Sequence, residues 1–344
     1  MAVAKSELFY SEIEPPKPGQ AVSLADELEW LRMPLPFMLG HINLWLLGTL
    51  DATTIVDTGL NSKETRELWT QLLDGRDVKS VIVTHMHPDH VGSAGWLVEQ
   101  HDVPLYMSRA EYLMCRVLVA DTGKDAPEAG VTFYRSAGFD EDALQRYKDK
   151  FGMFGRAVYT MPDAYRRIYE DDVFHIGGHE WRAVTTSGHC PEHVSLYDER
   201  RNMIIAGDQL LPTISSNVSV WPTEPHSDPL GHWISSCRKL KALLDDETLV
   251  LPSHGKPFRG APARLQALID EHDDNLTGLQ DLCRKPQRVV DTFELLFRSR
   301  INDGNLIMAT GEARAHLNYL VDRDVLTVRR DDDGVDWFET RTRP

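Results

Sequence analysis

The segment Thr84-His-Met-His-Pro-Asp-His-Val-Gly92 packs three imidazoles and one carboxylate into six residues, directly after the strand-like run Val78–Val83. Metal-binding side chains are thereby set at the end of a rigid element. Side chains two apart in an extended segment share a face, so His85 and His87 turn to one side and can hold one ion. Pro88 requires a turn, after which Asp89 and His90 can present an oxygen and a nitrogen to a neighbouring ion. Imidazole with carboxylate, and without thiolate, suits Zn²⁺, Fe or Mn²⁺.

The surrounding pattern is one of interleaved strands and helices, which indicates α/β layering over roughly the first 260 residues. Short runs with β-branched residues at His41–Leu47 and Ala52–Val56 read as paired strands. Ser62–Leu73 reads as an amphipathic helix with an N-cap at Asn61 or Ser62, and Gly92–Gln100 as a second helix. Strand character returns at Glu180–Thr186, Val194–Tyr197, Met203–Ala206 and Leu249–Leu251. Between the two sets, from about Arg109 to Glu170, lies a helical stretch rich in aromatic residues and Met. Pro15–Gly19 reads as a loop between an N-terminal arm and the body. Beyond Pro262 the pattern becomes three helices, Ala263–Leu282, Thr292–Arg300 and Glu312–Asp322. A hairpin follows, Val325–Arg330 and Val335–Thr340, turning at Asp332–Gly334.

The motif resembles the H-x-H-x-D-H signature of the metallo-β-lactamase superfamily. Four further motifs follow the family's order: Ile55-Val-Asp-Thr-Gly59, Thr185-Thr-Ser-Gly-His-Cys-Pro-Glu-His193, Ile205-Ala-Gly-Asp208 and Leu251-Pro-Ser-His-Gly255. The resemblance covers about residues 35–260. It implies an αββα sandwich over residues 1–262, with a helical insertion at about 109–170. It also implies a small winged-helix-like α+β domain over residues 263–344, by layout alone.

Carried over position by position, the resemblance assigns His85, His87 and His189 to a first metal, and Asp89, His90 and His254 to a second. Asp208 would bridge the two. Asp57 would support the ligand loop from behind, or is simply a turn residue at a strand end. His193 would orient Asp208 or His189, or is a plain loop histidine. An Asp at the bridging position, where antibiotic-hydrolysing members commonly carry Cys or Ser, resembles the glyoxalase II-like, lactonase-like and nuclease-like members. The implied enzyme is a binuclear hydrolase of a small carboxylic ester, thioester or lactone. It would use a metal-bridging hydroxide as nucleophile, with Asp89 and Asp208 as the catalytic carboxylates and zinc as the expected metal. The same site in other branches serves an RNA endonuclease or phosphodiesterase, or an iron-dependent persulfide dioxygenase.

Two segments are expected to shape the pocket. The insertion, Tyr165 included, is either an apolar lid or packing and dimer-contact material. The loop after Asp208 offers Asn217, Trp221, Glu224 and His226 as substrate contacts. Cys190 reads as a packed thiol, and His41, His272 and His316 receive no role.

Charge narrows the partners. With 37 basic and 53 acidic side chains the net charge is −16. The hairpin turn carries Asp331, Asp332 and Asp333 where a DNA-reading wing would meet phosphates. Nucleic acid is therefore disfavoured against a small-molecule substrate. No apolar run approaches the roughly 20 residues of a membrane span. Four scattered cysteines and an N-terminus without an apolar stretch lead to the expectation of a cytoplasmic protein.

Overall fold

The computed structural model describes residues 8–36 and 39–341. Two mixed sheets of seven strands each lie face to face. The first runs, in spatial order, Ala21–Ala25, Leu28–Pro34, His41–Thr49, Ala52–Val56, Val78–Ile82, Leu105–Met107 and Arg166–Arg167. Its last four strands are parallel. The second runs Phe9–Tyr10, Phe258–Arg259, Leu249–Pro252, Met203–Gly207, His193–Asp198, His179–Thr186 and Val173–Ile176. Within it only Met203–Gly207 and Leu249–Pro252 pair in parallel. The N-terminal arm is thus an edge strand of the second sheet.

Strand periodicity sorts the apolar side chains into three layers. Trp45 and Leu47 point inward with Trp30, Ile82, Trp181, Leu196, Ile205 and Leu251, and fill the space between the sheets. Their neighbours Leu44 and Leu46 point outward onto Trp69, Leu97 and Tyr112 of the helices flanking the first sheet. Ile204 and Val250 point outward from the second sheet onto Trp233, Leu240 and Leu265. Trp30 and Trp45 stack at 6.3 Å in the central layer. Burying such a slab supplies most of the drive that holds the sandwich together. The expected αββα order is the observed one.

The expected first helix spans Lys63–Leu72, capped by Ser62, whose hydroxyl accepts the Thr65 N–H at 3.0 Å. The insertion forms helices Arg109–Ala120, Glu128–Ser136 and Glu141–Lys150. Tyr112 and Cys115 pack on the first sheet's side, whereas Phe133, Tyr134, Leu144 and Tyr147 join the outer layer of the second. The insertion therefore connects both outer layers, and much of its aromatic content is core.

The C-terminal helices span Ala261–Leu282 and Leu306–Asp322, followed by the hairpin Leu326–Arg330 and Asp336–Thr340. The helix expected at Thr292–Arg300 is cut to a single turn. A 3₁₀ turn at Val289–Thr292 leads into one α-turn, Phe293–Leu296, and the chain becomes extended at Phe297. The apolar spacing that would continue a helix stops there, and Arg298–Arg300 offer nothing to bury. Leu265, Leu268 and Leu279 share one core with Trp233, Leu317 and Phe338.

His272 and His316 lie buried between the two long C-terminal helices. The His316 Nδ1–H donates to the Glu312 carbonyl at 2.8 Å, so its Nε2 accepts from His272 Nδ1 at 3.1 Å. This tautomer chain leaves only the His272 Nε2 lone pair unpartnered. A proton there would be buried without an acceptor. Burial, and for His272 the neighbouring imidazole, lowers the two groups to about 3 and about 4. Neutral in the fold but protonatable once unfolded, the pair contributes stability that is full above its ordinary value near 6.5 and is lost on acidification towards 4. We expect the urea midpoint, measured with chelator present, to fall less between about pH 7 and about pH 4.5 in His272→Leu/His316→Leu than in the unsubstituted protein. An equal fall in both would contradict this assignment.

Candidate metal centre

Parallel strands bring their C-terminal ends to one edge, and the motif residues leave the sheets there. Asp57 follows Ala52–Val56, His85 to His90 follow Val78–Ile82, Asp208 follows Met203–Gly207 and His254 follows Leu249–Pro252. His189 sits on the turn between His179–Thr186 and His193–Asp198. The two sheets are joined at this edge by backbone bonds from Val194 N to Thr84 O at 2.9 Å and from Asn43 N to Ser253 O at 2.7 Å. The Asn43 amide adds donors to the carbonyls of Pro252 and Gly255, both at 2.8 Å.

Two groups of side chains result, His85, His87, His189 and Asp208 in one and Asp89, His90 and His254 in the other. Within each group, donor atoms lie within 4.8 Å of one another. Asp208 faces both. Its Oδ2 is 3.5 Å from His189 Nε2, while its Oδ1 is 3.4 Å from His90 Nε2 and 3.5 Å from His254 Nε2. Asp89 Oδ2 lies 3.4 Å from His254 Nε2.

The imidazoles are oriented from behind. His90 Nδ1–H donates to Asp57 Oδ2 at 2.8 Å, His189 Nδ1–H to the Asn217 carbonyl at 2.7 Å and His254 Nδ1–H to the His41 carbonyl at 2.9 Å. A carbonyl or carboxylate can only accept, so each of these rings keeps its Nε2 lone pair turned into the site. His90 Nε2, His189 Nε2 and Asp208 Oδ1 are buried without a hydrogen-bond partner. Buried lone pairs of opposed side chains, turned towards one another, are what a divalent cation satisfies, and the donor set fits one.

Asp57 holds the whole ligand turn. Its carboxylate accepts the Thr84 N–H at 2.8 Å and the Thr84 hydroxyl at 2.9 Å besides His90. Its own backbone is left-handed, with φ of 60°, a conformation that non-glycine residues adopt at some cost. His193 Nε2 accepts the Asp208 N–H at 3.2 Å. A Cβ on Gly207 would stand 2.3 Å from that nitrogen, so the glycine is needed for the approach.

The protein's own charges divide the site. Burial, reinforced by neighbouring imidazoles, pushes His85 well below its ordinary value and His87 to about 3, which keeps them in the neutral, ligating form. Burial opposes charge on His90 and His254 as well. There, however, the carboxylates outweigh it, Asp57 foremost for His90 and Asp208 for His254, and both are raised. Asp208 is held well below the carboxylate range despite its burial, chiefly by His90 and His254.

Of the residues expected to touch substrate, Asn217 adjoins the site through its carbonyl, and its side chain donates to Glu312 at 2.7 Å. Tyr165 stacks on Tyr112 at 3.8 Å. Trp221 is exposed, Glu224 closes a turn with it, and His226 lines a separate cavity beside Arg314 and Asn318. Among the described residues, no hydrogen bond, ion pair or ring contact links Trp221, Glu224 or Tyr165 to the seven clustered side chains. Three contributors to the site carried no local signal. The His41 carbonyl and the Glu111 carboxylate meet groups distant in sequence, and Asn43 is one polar residue within an apolar strand.

The description of the metallo-β-lactamase superfamily matches residues 38–254, and that of the metallo-β-lactamase-like C-terminal domain matches residues 276–341. The chain belongs to the metallo-β-lactamase superfamily and is a metal-dependent hydrolase by class. Among solved structures it is similar to a β-lactamase domain protein from Burkholderia ambifaria, 38% identical with a TM-score of 0.87. That likeness covers 97% of this chain and 98% of the other. It is 25% identical to the probable metallo-hydrolase YqjP of Bacillus subtilis (strain 168), over 91% of this chain and 98% of that protein. An atrochrysone carboxyl ACP thioesterase from Aspergillus fumigatus is 23% identical over 75% of this chain, a match spanning 45% of the thioesterase.

Replacing Asp57 by Asn removes the charge facing His90 and sets an amide NH₂ against one of three donors. We expect Asp57→Asn to weaken metal binding by about 10–100-fold, read by chelator competition. Unaltered affinity would show that the turn holds His90 without it.

Proposed function

We propose that the protein hydrolyses a small carboxylic ester, thioester or lactone on a pair of divalent ions, zinc in the first instance. The observation that carries this reading is the placement of Asp208, with one oxygen towards each group of imidazoles. His85, His87 and His189 would hold one ion, and Asp89, His90 and His254 the other, with Asp208 shared. Such ions supply Lewis acidity and a water acidic enough to lose its proton near neutral pH. The chain's own part is to keep His85 and His87 neutral, to aim the imidazoles from behind, to exclude bulk water by burial, and to offer carboxylate oxygens that can hold a proton. Asp89, the most open of the carboxylates in the site with an 18% exposed side chain, is the group best placed to meet that proton. Support for an acyl substrate comes from three sides. The bridging Asp sets the chain apart from the antibiotic-hydrolysing members, the net charge of −16 disfavours polyanions, and one relative is named as a carboxyl ACP thioesterase. The same charge favours a small-molecule substrate over nucleic acid, and no described helix is long and apolar enough to cross a membrane.

Elemental analysis is expected to give about two divalent ions per chain. Turnover should appear on acyl thioesters or lactones in a panel that includes a phosphodiester and single-stranded RNA. Asp208→Ala should lose more activity than the roughly 10–100-fold that a supporting residue costs. Cleavage of RNA at moderate salt would instead favour a nuclease, and a single iron per chain a persulfide dioxygenase. Full turnover by metal-stripped protein would sink the proposal.

A further inference from the structure

We infer that Glu111 is a positioning residue of the metal centre, whose buried carboxylate clamps the loop bearing His85 and His87 to the loop bearing His189. This rests on the reading of those histidines as metal ligands.

Glu111 lies in the first turn of the insertion helix Arg109–Ala120 and is 0% exposed. One oxygen accepts the N–H of Met86, the residue between His85 and His87, at 2.9 Å. The other accepts the N–H of Glu192, three residues after His189, at 2.9 Å. The thiol of Cys190, next to His189, also reaches the carboxylate. The contact is returned from the other side. The Glu192 carboxylate accepts the Ala110 N–H at 2.8 Å, and the Ser108 hydroxyl donates to the Glu192 carbonyl at 2.7 Å. Helix start and the His189 loop therefore grip each other through three hydrogen bonds, and a fourth holds the loop of His85 and His87.

The two loops belong to different sheets, one following Val78–Ile82 and the other joining His179–Thr186 to His193–Asp198. Their spacing sets how far His189 stands from His85 and His87, and so whether the three nitrogens can meet one ion. Each carboxylate oxygen of Glu111 meets a backbone N–H donor, which fixes the chemistry required. A carboxylate offers an acceptor to each, whereas a glutamine of the same shape offers one acceptor and turns its NH₂ against the other donor. Glu111 is shut off from bulk solvent, so the stranded N–H must move to regain an acceptor, and a ligand loop moves with it.

The test compares Glu111→Gln with the unsubstituted protein by Zn²⁺ titration under chelator competition, and by the visible absorption of the Co²⁺-loaded forms. Melting of the chelator-treated proteins is recorded beside them. The expected result is a loss of about 10–100-fold in affinity for one equivalent of zinc, with an altered Co²⁺ spectrum. Wild-type affinity and spectrum in Glu111→Gln, with or without a lower melting point, would overturn the clamp while leaving the metal reading intact. Failure of the unsubstituted protein to take up zinc would overturn both. Should Glu111→Gln not fold, hydrogen exchange at the Met86 and Glu192 amides of the zinc-loaded parent decides. Strong protection of both is expected, and rapid exchange at either refutes the clamp.

Discussion

Asp208 must stand between two sets of imidazoles contributed by three separate loops, and the rest of the fold can be understood as the means of holding it there. A carboxylate with one oxygen towards His189 and the other towards His90 and His254 tolerates little movement of any loop. Tethering starts in the strands. The parallel pairs in each sheet deliver their C-terminal ends to one edge, and backbone bonds such as Ser253 N to Gly207 O at 3.1 Å fasten the loops beyond them. Without such tethers, like-charged and lone-pair-rich groups would be pushed apart by their own electrostatics.

The cost of burying so many polar groups is offset by the apolar slab behind them. Trp30, Trp45 and Trp181 fill the inter-sheet layer, and the Trp30 indole N–H donates to Asn43, whose amide binds the carbonyls around His254. One chain of contacts thus runs from the aromatic core to the second group of clustered side chains. Precision at the edge is inherited from close packing in the middle, because tightly packed interiors transmit displacement instead of absorbing it. The orienting partners behind His90, His189 and His254 then turn a correctly placed loop into a correctly aimed nitrogen.

Much of this was legible in the chain because metal-binding side chains announce themselves by type and spacing. The H-x-H-x-D-H run, the later His and Asp motifs and the short β-branched strands are local signals, and the structure brings the seven side chains into two adjoining groups. Partners that act through backbone atoms leave no such trace. Glu111 and His41 hold loops lying 25 to 213 residues away, and no periodicity encodes a distant carbonyl or N–H. The strands Ala21–Ala25 and Leu28–Pro34 went unread beside a Pro-rich loop whose turn chemistry dominates the local pattern. At Thr292–Arg300 the helical spacing of Phe293, Leu296 and Phe297 was genuine, but one turn sufficed to bury what it had to bury.

The C-terminal region is coupled to the ligands more directly than its distance in sequence would indicate. His189 donates to the Asn217 carbonyl, the Asn217 amide donates to Glu312, and Ser219 bonds the Asn217 side-chain oxygen at 2.6 Å. The Val220 N–H meets the Gly311 carbonyl at 3.0 Å, so the loop after Asp208 is stitched to the start of helix Leu306–Asp322. Burial raises Glu312 to about 7 against the pull of Asn217, which leaves an acid of near-neutral strength two hydrogen bonds from a ligand.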